Sequence, residues 1–278
     1  MRTSRLSPTI VLLVSSFAIR AQVPIAIPPA LDLDTFHLVV DEHVHQFYPG
    51  VNTNTYGVGV PYLGPTLIFH TGDTARIRVQ NDLEQVTSMH WHGLRVPAEF
   101  DGGPPREIAP GDHWDVKYQV KNPAGTYWYH PHPHELTAEQ ASLGVAGFIL
   151  VQDDAEAALD LPRTYGVDDF PIVVQDRRFQ PNGDFVFGPF GDSVLVNGTP
   201  HPFLECPAQV VRLRLLNGSN ARVYALGFES DEPFSVIAGD GGLLDAPVTT
   251  NRLPLSNGER AEILLDLTGM EGDSLLLM

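Results

Sequence analysis

Arg76-Ile77-Arg78-Val79-Gln80-Asn81 is a short strand-like run that returns later in the chain as Arg212-Leu213-Arg214-Leu215-Leu216-Asn217. A second stretch, Pro110-Gly111-Asp112-x-x-Asp115-Val116, returns as Asn257-Gly258-Glu259-x-x-Glu262-Ile263, in the same order and at a similar offset. Two matches of this kind are most simply explained by a duplicated β domain. Further strand-like runs lie at 36–40, 66–70, 75–80, 115–120, 125–129 and 147–151, with turn residues between them. Short strands at near-regular spacing predict a β-sandwich or barrel. The 25 glycines and 24 prolines suit many strands joined by turns better than long helices.

The 278 residues suffice for about two domains, and a hydrophobic fraction of 43% can supply a core to each. The formal net charge of −17 argues against nucleic acid or an anionic membrane as partner, because the summed field repels both. The one cysteine, Cys206, cannot build a disulfide framework. Residues 1–21 read as a secretory signal. Arg2 and Arg5 form its positive end, an apolar stretch follows, and small residues near Ala18 and Ala21 offer cleavage sites. No later segment is long and apolar enough to span a bilayer. The expectation is therefore a periplasmic or secreted protein with no membrane insertion after cleavage. Residues 22–152 form the expected first domain, 153–169 an acidic linker, and 170–278 a second domain that stops inside the strand-like run Leu275-Leu276-Leu277-Met278.

Two His-x-His motifs carry the chemistry, His90-Trp91-His92 and His130-Pro131-His132. Residues i and i+2 of a strand share a face, so each motif can aim two imidazoles at one point. Neutral imidazole suits copper, zinc, iron or nickel, and the ligands alone do not name the metal. Trp91 points opposite its neighbours and can pack in a core, while Pro131, lacking an N–H, fits a strand end. The spare copies are weaker. His134 follows a second proline, and His43 and His45 sit among acidic neighbours on what reads as an exposed strand face. Gly-x-Ser-x-Gly, Gly-x-x-x-x-Gly-Lys and His-Glu-x-x-His are all absent.

Met89-His90-Trp91-His92-Gly93-Leu94 and Gly125-Thr126-Tyr127-Trp128-Tyr129-His130-Pro131-His132 resemble the first two copper-binding segments of multicopper oxidases. The resemblance extends to Asp101-Gly102-Gly103-Pro104, Leu143-Gly144-Val145-Ala146-Gly147 and Asp240-Gly241-Gly242-Leu243-Leu244, in the manner of the family's bacterial exported laccase-like and cuprous-oxidase-like branch. It implies an all-β fold of two tandem cupredoxin-like Greek-key β-sandwich domains. It implies copper as cofactor, in the type 2 and type 3 ions of a trinuclear cluster. By position, His90 resembles the type 2 ligand, His92 and His130 ligands of one type 3 copper, and His132 a ligand of the other. Asp101 stands where the family places a catalytic acid near the type 2 copper, and its alternative reading is a turn carboxylate. The implied partners are dioxygen and a small reducing substrate, phenolic or a metal ion such as Cu(I).

The family's type 1 copper takes its cysteine from a His-Cys-His run, and Cys206 lies instead between Glu205 and Pro207. The second block has Tyr224-Ala225-Leu226-Gly227 where the first has His90-Trp91-His92-Gly93, so it keeps the scaffold without the motif and is assigned a structural or spacing role. The expectation is domains one and two of a three-domain oxidase whose completing third domain is missing, inactive as this chain alone. The alternatives are a non-enzymatic cupredoxin-fold protein of the cell envelope and a copper-binding module. An intact His-Cys-His run in further sequence discriminates the enzyme from both.

Overall fold

The computed structural model describes residues 23–278, so the signal assigned to 1–21 lies outside the described residues. The first sandwich packs two sheets face to face. One is ordered Ala30–Asp32, Thr66–His70, Gly147–Gln152, Gly125–His130, His90–His92. The other is ordered Val51–Val58, Phe36–Tyr48, Thr74–Asn81, His113–Gln119. Alternation drives the packing. In Thr74–Asn81, Ala75, Ile77 and Val79 face inward and are buried, while Arg76 and Arg78 face out. The inward residues join Phe36, Leu38, Leu67, Trp91, Trp114, Tyr127, Tyr129 and Ile149 in one core.

The second sandwich has a seven-stranded sheet, ordered Thr199–Pro200, Ser193–Val196, Asp169–Arg177, Val210–Asn217, Arg260–Asp266, Phe234–Gly239, Gly242–Thr250. A two-stranded ribbon of Tyr224–Leu226 and Leu253–Leu255 accompanies it. Its core gathers Phe170, Ile172, Val211, Leu213, Leu215, Phe228, Phe234 and Ile263. The all-β cupredoxin-like class expected from the sequence is the observed one.

The internal repeat is structural. Thr74–Asn81 runs parallel to Phe36–Tyr48 and antiparallel to His113–Gln119. Val210–Asn217 has the same two relations, to Asp169–Arg177 and Arg260–Asp266. Each copy ends in a fully buried asparagine that ties its turn. Asn81 Nδ2 donates to the carbonyls of Gln85 (2.9 Å) and Ile108 (2.8 Å), and its Oδ1 accepts from the Leu83 N–H. Asn217 Nδ2 donates to Arg222 O (2.7 Å) and Leu255 O (2.9 Å), and its Oδ1 accepts from Ser219 N–H. Alanine at either position leaves two carbonyls and an N–H without this partner. Each substitution is expected to cost about 1–3 kcal/mol, measured by urea unfolding, and the two costs should be similar.

Two local expectations are revised. The strand begun at 36–40 continues to Tyr48, because residues 40–48 pair with Val51–Val58. His43 and His45 therefore stand on a paired strand and are only partly exposed. His43 bonds Asp41 (2.8 Å), and His45 packs on Phe47 and Tyr62. The chain end is paired as well, since the Met278 and Gly227 backbones exchange hydrogen bonds of 2.8 and 3.1 Å.

The two sandwiches meet over an aromatic and aliphatic cluster of Phe47, Tyr62, Trp128 and Phe148 with Val173, Phe185, Leu195 and Leu216. Beside it lies a buried ionic network. Glu262 pairs with Arg212 and Arg214, Arg212 with Glu156, and Arg214 with Asp169. Thr126, from the strand Gly125–His130, donates its hydroxyl to Glu262 at 2.7 Å. Glu156 sits in the short helix Asp154–Ala157, so the segment between the two blocks is anchored and not merely a spacer.

Candidate metal centre

The strands His90–His92 and Gly125–His130 pair antiparallel at the edge of one sheet, with His90 opposite His130. This register follows from the core. Trp91 and Tyr129 are also opposite one another, both fully buried, and Trp91 Nε1 donates to Phe100 O at 2.9 Å. Burying Trp91 on one face turns His90 and His92 to the other. The strand ends at His130, one residue before Pro131, and His132 returns to the same place through the turn, its N–H donating to Ser88 Oγ (2.9 Å). Gly93 and Gly102 have positive φ of 85° and 73°, and a side chain at Gly102 would collide with the Met89 carbonyl.

The four imidazoles converge. Ring centroids lie 5.3 Å apart for His90 and His130, 5.7 Å for His90 and His92, 5.4 Å for His92 and His130, and 5.6 Å for His90 and His132. One nitrogen from each of His90, His92 and His130 lies within 4.8 Å of the others, close enough to hold one ion. His132 stands to the side, 5.9 Å from His130 by ring centroid.

Carbonyl oxygens only accept, and that assigns the protons. His90 Nδ1 lies 2.8 Å from Asp101 O and His130 Nδ1 lies 2.8 Å from Pro131 O, so both donate there. Each Nε2 is then an acceptor turned toward the site. Backbone acceptors of this kind orient metal-binding histidines. His130 Nε2 and His92 Nδ1 face one another at 3.2 Å. His132 Nδ1 is buried and has no hydrogen-bond partner among the described residues. A cation accepts lone pairs from such nitrogens at once, so the donor set fits a metal that favours imidazole.

Burial keeps the His92 and His130 rings neutral. The His130 pKa is lowered to about 3, chiefly by desolvation, against the hydrogen bond to Pro131 that raises it. The His92 pKa is lowered to about 4 by burial, then by the positive charge of Arg260 and by His90, against Asp240. Neutral imidazole is the ligating form.

Asp101 meets His90 mainly through its backbone carbonyl. Its carboxylate Oδ1 lies 3.4 Å from the same Nδ1 and is about half exposed. His134 is exposed. Cys206 is remote in role as in sequence: it packs against the second core, and burial pushes its thiol up to about 11. The sequence reading missed Trp128, whose ring lies 4.2 Å from His130 and 5.0 Å from His92. It also missed the approach of Gly258 and Arg260 from the second sandwich. Trp128 is two residues before His130 and so shares its face, a signal the strand period already carries.

The family described as multicopper oxidase matches residues 40–156. The chain is 38% identical over 256 residues to the cell division protein FtsP of Escherichia coli (strain K12), covering 89% of this chain and 54% of that protein. It is 39% identical over 239 residues to the multicopper oxidase mco of Staphylococcus aureus, covering 84% and 53%. Among solved structures, the laccase-like multi-copper oxidase CueO of Ochrobactrum sp. superposes with a TM-score of 0.87 at 39% identity, covering 91% of this chain and 59% of that one. A laccase from Pediococcus acidilactici gives 0.88 at 34% identity, covering 93% and 59%. The chain spans about half the length of the curated relatives it matches. Sharing both the fold and this level of identity along almost all of its described length, the chain belongs to the multicopper oxidase family.

Proposed function

We propose that this chain is the dioxygen-side part of an exported, periplasmic or secreted, multicopper oxidase that couples one-electron oxidation of a phenolic or metal-ion substrate to reduction of dioxygen to water. The observation that carries it is the clustering of His90, His92 and His130 nitrogens within 4.8 Å, with the Nδ1 atoms of His90 and His130 donating to backbone carbonyls. Residues 22–152 carry the site, 153–169 connect, and 170–278 support it. His90 would hold a type 2 copper, His92 and His130 one type 3 copper, and His132 the other. Copper bound there supplies one-electron redox chemistry toward dioxygen. Asp101, its carboxylate about half exposed and 3.4 Å from His90 Nδ1, would pass protons between solvent and the site, where oxygen reduction consumes them. The type 1 copper and the remaining cluster ligands would come from further sequence bearing a His-Cys-His run.

A second reading is a non-enzymatic role in the cell envelope, favoured by the similarity to proteins named for cell division. Copper separates the two. This chain is expected to take up Cu(II), seen by electron paramagnetic resonance, without a blue thiolate band, because Cys206 lies outside the site. It should not by itself reduce dioxygen with phenolic or cuprous donors. Failure to bind Cu(II) would rule out the oxidase reading and favour the second.

A further inference from the structure

The second sandwich reaches the histidine cluster. Its strand Arg260–Asp266 begins after a tight turn, and Gly258 in that turn lies against the His92 ring. A Cβ on Gly258 would stand 3.1 Å from His92 Cε1, and 3.5 Å from both its Nε2 and Trp128 Cζ2. His92 turns Nδ1 toward His130, so its Nε2 edge is the one that faces this turn.

Arg260 holds the turn in place. Its side chain is 2% exposed. It donates from Nη1 to Gly258 O (2.9 Å), from Nε to Thr126 O (3.2 Å) and from Nη2 to Asp240 O (3.2 Å). The Asp240 carboxylate accepts from Arg260's own N–H at 2.8 Å and pairs with Nη1 at 2.8 Å. Nη2 also fills the space beside Gly93, where a Cβ would lie 2.5 Å away. One side chain thus ties together the turn against His92, the residue after His92, and the strand carrying Trp128 and His130.

A metal-binding imidazole must hold its position within about 0.5 Å and 10–20°. Strand pairing fixes the His92 backbone but not its ring. Trp128 bounds that ring at 5.0 Å, and the Gly258 backbone bounds it again. We propose that Gly258, Arg260 and Asp240 are positioning residues that set the His92 ring against His130, so that the second sandwich is part of the metal centre. The inference rests on the proposed copper reading and extends it.

The internal repeat provides the control. Gly111 occupies the place in the first copy that Gly258 occupies in the second. Its φ is +75° against +72°, and no atom of the described residues lies within 4 Å of a Cβ there. Alanine therefore imposes the same backbone strain at both sites and meets His92 only at 258. The experiment titrates this chain, Gly111→Ala, Gly258→Ala and Arg260→Lys with Cu(II) ions by calorimetry. It also records the electron paramagnetic resonance of the bound ion and the unfolding temperature without metal. Gly111→Ala and Gly258→Ala should lose similar unfolding temperature. Gly258→Ala should weaken Cu(II) binding about tenfold or more and change the nitrogen hyperfine pattern, the usual range for a lost supporting contact, while Gly111→Ala leaves both unchanged. Arg260→Lys keeps the charge but loses the fork, and should weaken binding too. It decides the matter if Gly258→Ala fails to fold. Unaltered Cu(II) binding in Gly258→Ala, or in Arg260→Lys where that variant decides, overturns the proposal. No Cu(II) binding by the unsubstituted chain overturns the copper reading beneath it.

Discussion

Glu262→Ala is expected to lower the free energy of unfolding by about 3–5 kcal/mol, the range for breaking a buried ion pair. Glu262 is 1% exposed and accepts from Arg212, Arg214 and the Thr126 hydroxyl. Its loss leaves two buried guanidinium groups short of a partner and cuts the bond to the strand that bears His130. Urea unfolding at neutral pH measures the cost, and Glu229→Ala, on the surface, should stay within about 0.5 kcal/mol. Burial acts to raise the Glu262 pKa, but Arg214 and Arg212 outweigh it, and the folded value lies below the ordinary 4.5. A carboxylate with a depressed folded pKa contributes its stability above the unfolded value and loses it as pH falls through the folded one. The gap between the parent chain and Glu262→Ala should therefore be full at neutral pH and close in acid, below about pH 4. A gap that persists unchanged into strong acid would show that packing, not charge, sets the cost.

His130→Ala should reduce Cu(II) affinity by more than about a hundredfold, beyond the effect of losing a supporting residue. His130 is central to the cluster. It is buried, its Nε2 faces His92 Nδ1 at 3.2 Å, and its ring packs against Trp128 at 4.2 Å. The measurement is calorimetric titration with Cu(II), with His43→Ala as comparison, since His43 is occupied with Asp41 on another strand. Equal affinity in His130→Ala and the parent chain would show that the ion binds elsewhere.

Much of this was legible in the residues. Strand alternation located Thr66–His70 at its observed bounds and the neighbouring strands to within a few residues. The first His-x-His motif was legible because a period of two turns His90 and His92 one way, and Trp91 supplied the apolar face that settles which way; His132 lies past the strand end and reaches the cluster through a turn instead. The repeat was legible because each copy spells out its turn, from the asparagine to the glycine that precedes the next strand. The reach of the first long strand to Tyr48 was not, since residues 41–48 are mostly polar and gain their ladder only from Val51–Val58.

The repeated Arg-x-Arg shows where sequence reading stops. Arg78 pairs with Asp115 and Arg214 with Glu262 at matching places in the two copies. The first pair is exposed, at 44% and 61% of the side chains, and the second is buried, at 5% and 1%. The letters are nearly the same, so both pairs read alike as surface charges on a strand. What separates them is that the second copy's sheet lies beneath Thr126 of the first sandwich, which removes water from one pair and not from the other. The same docking brings Gly258 to His92. Local pattern told which residues face which way along each strand. Burial of charge and completion of the site depend on which surfaces meet, a matter of long-range packing that no local period encodes.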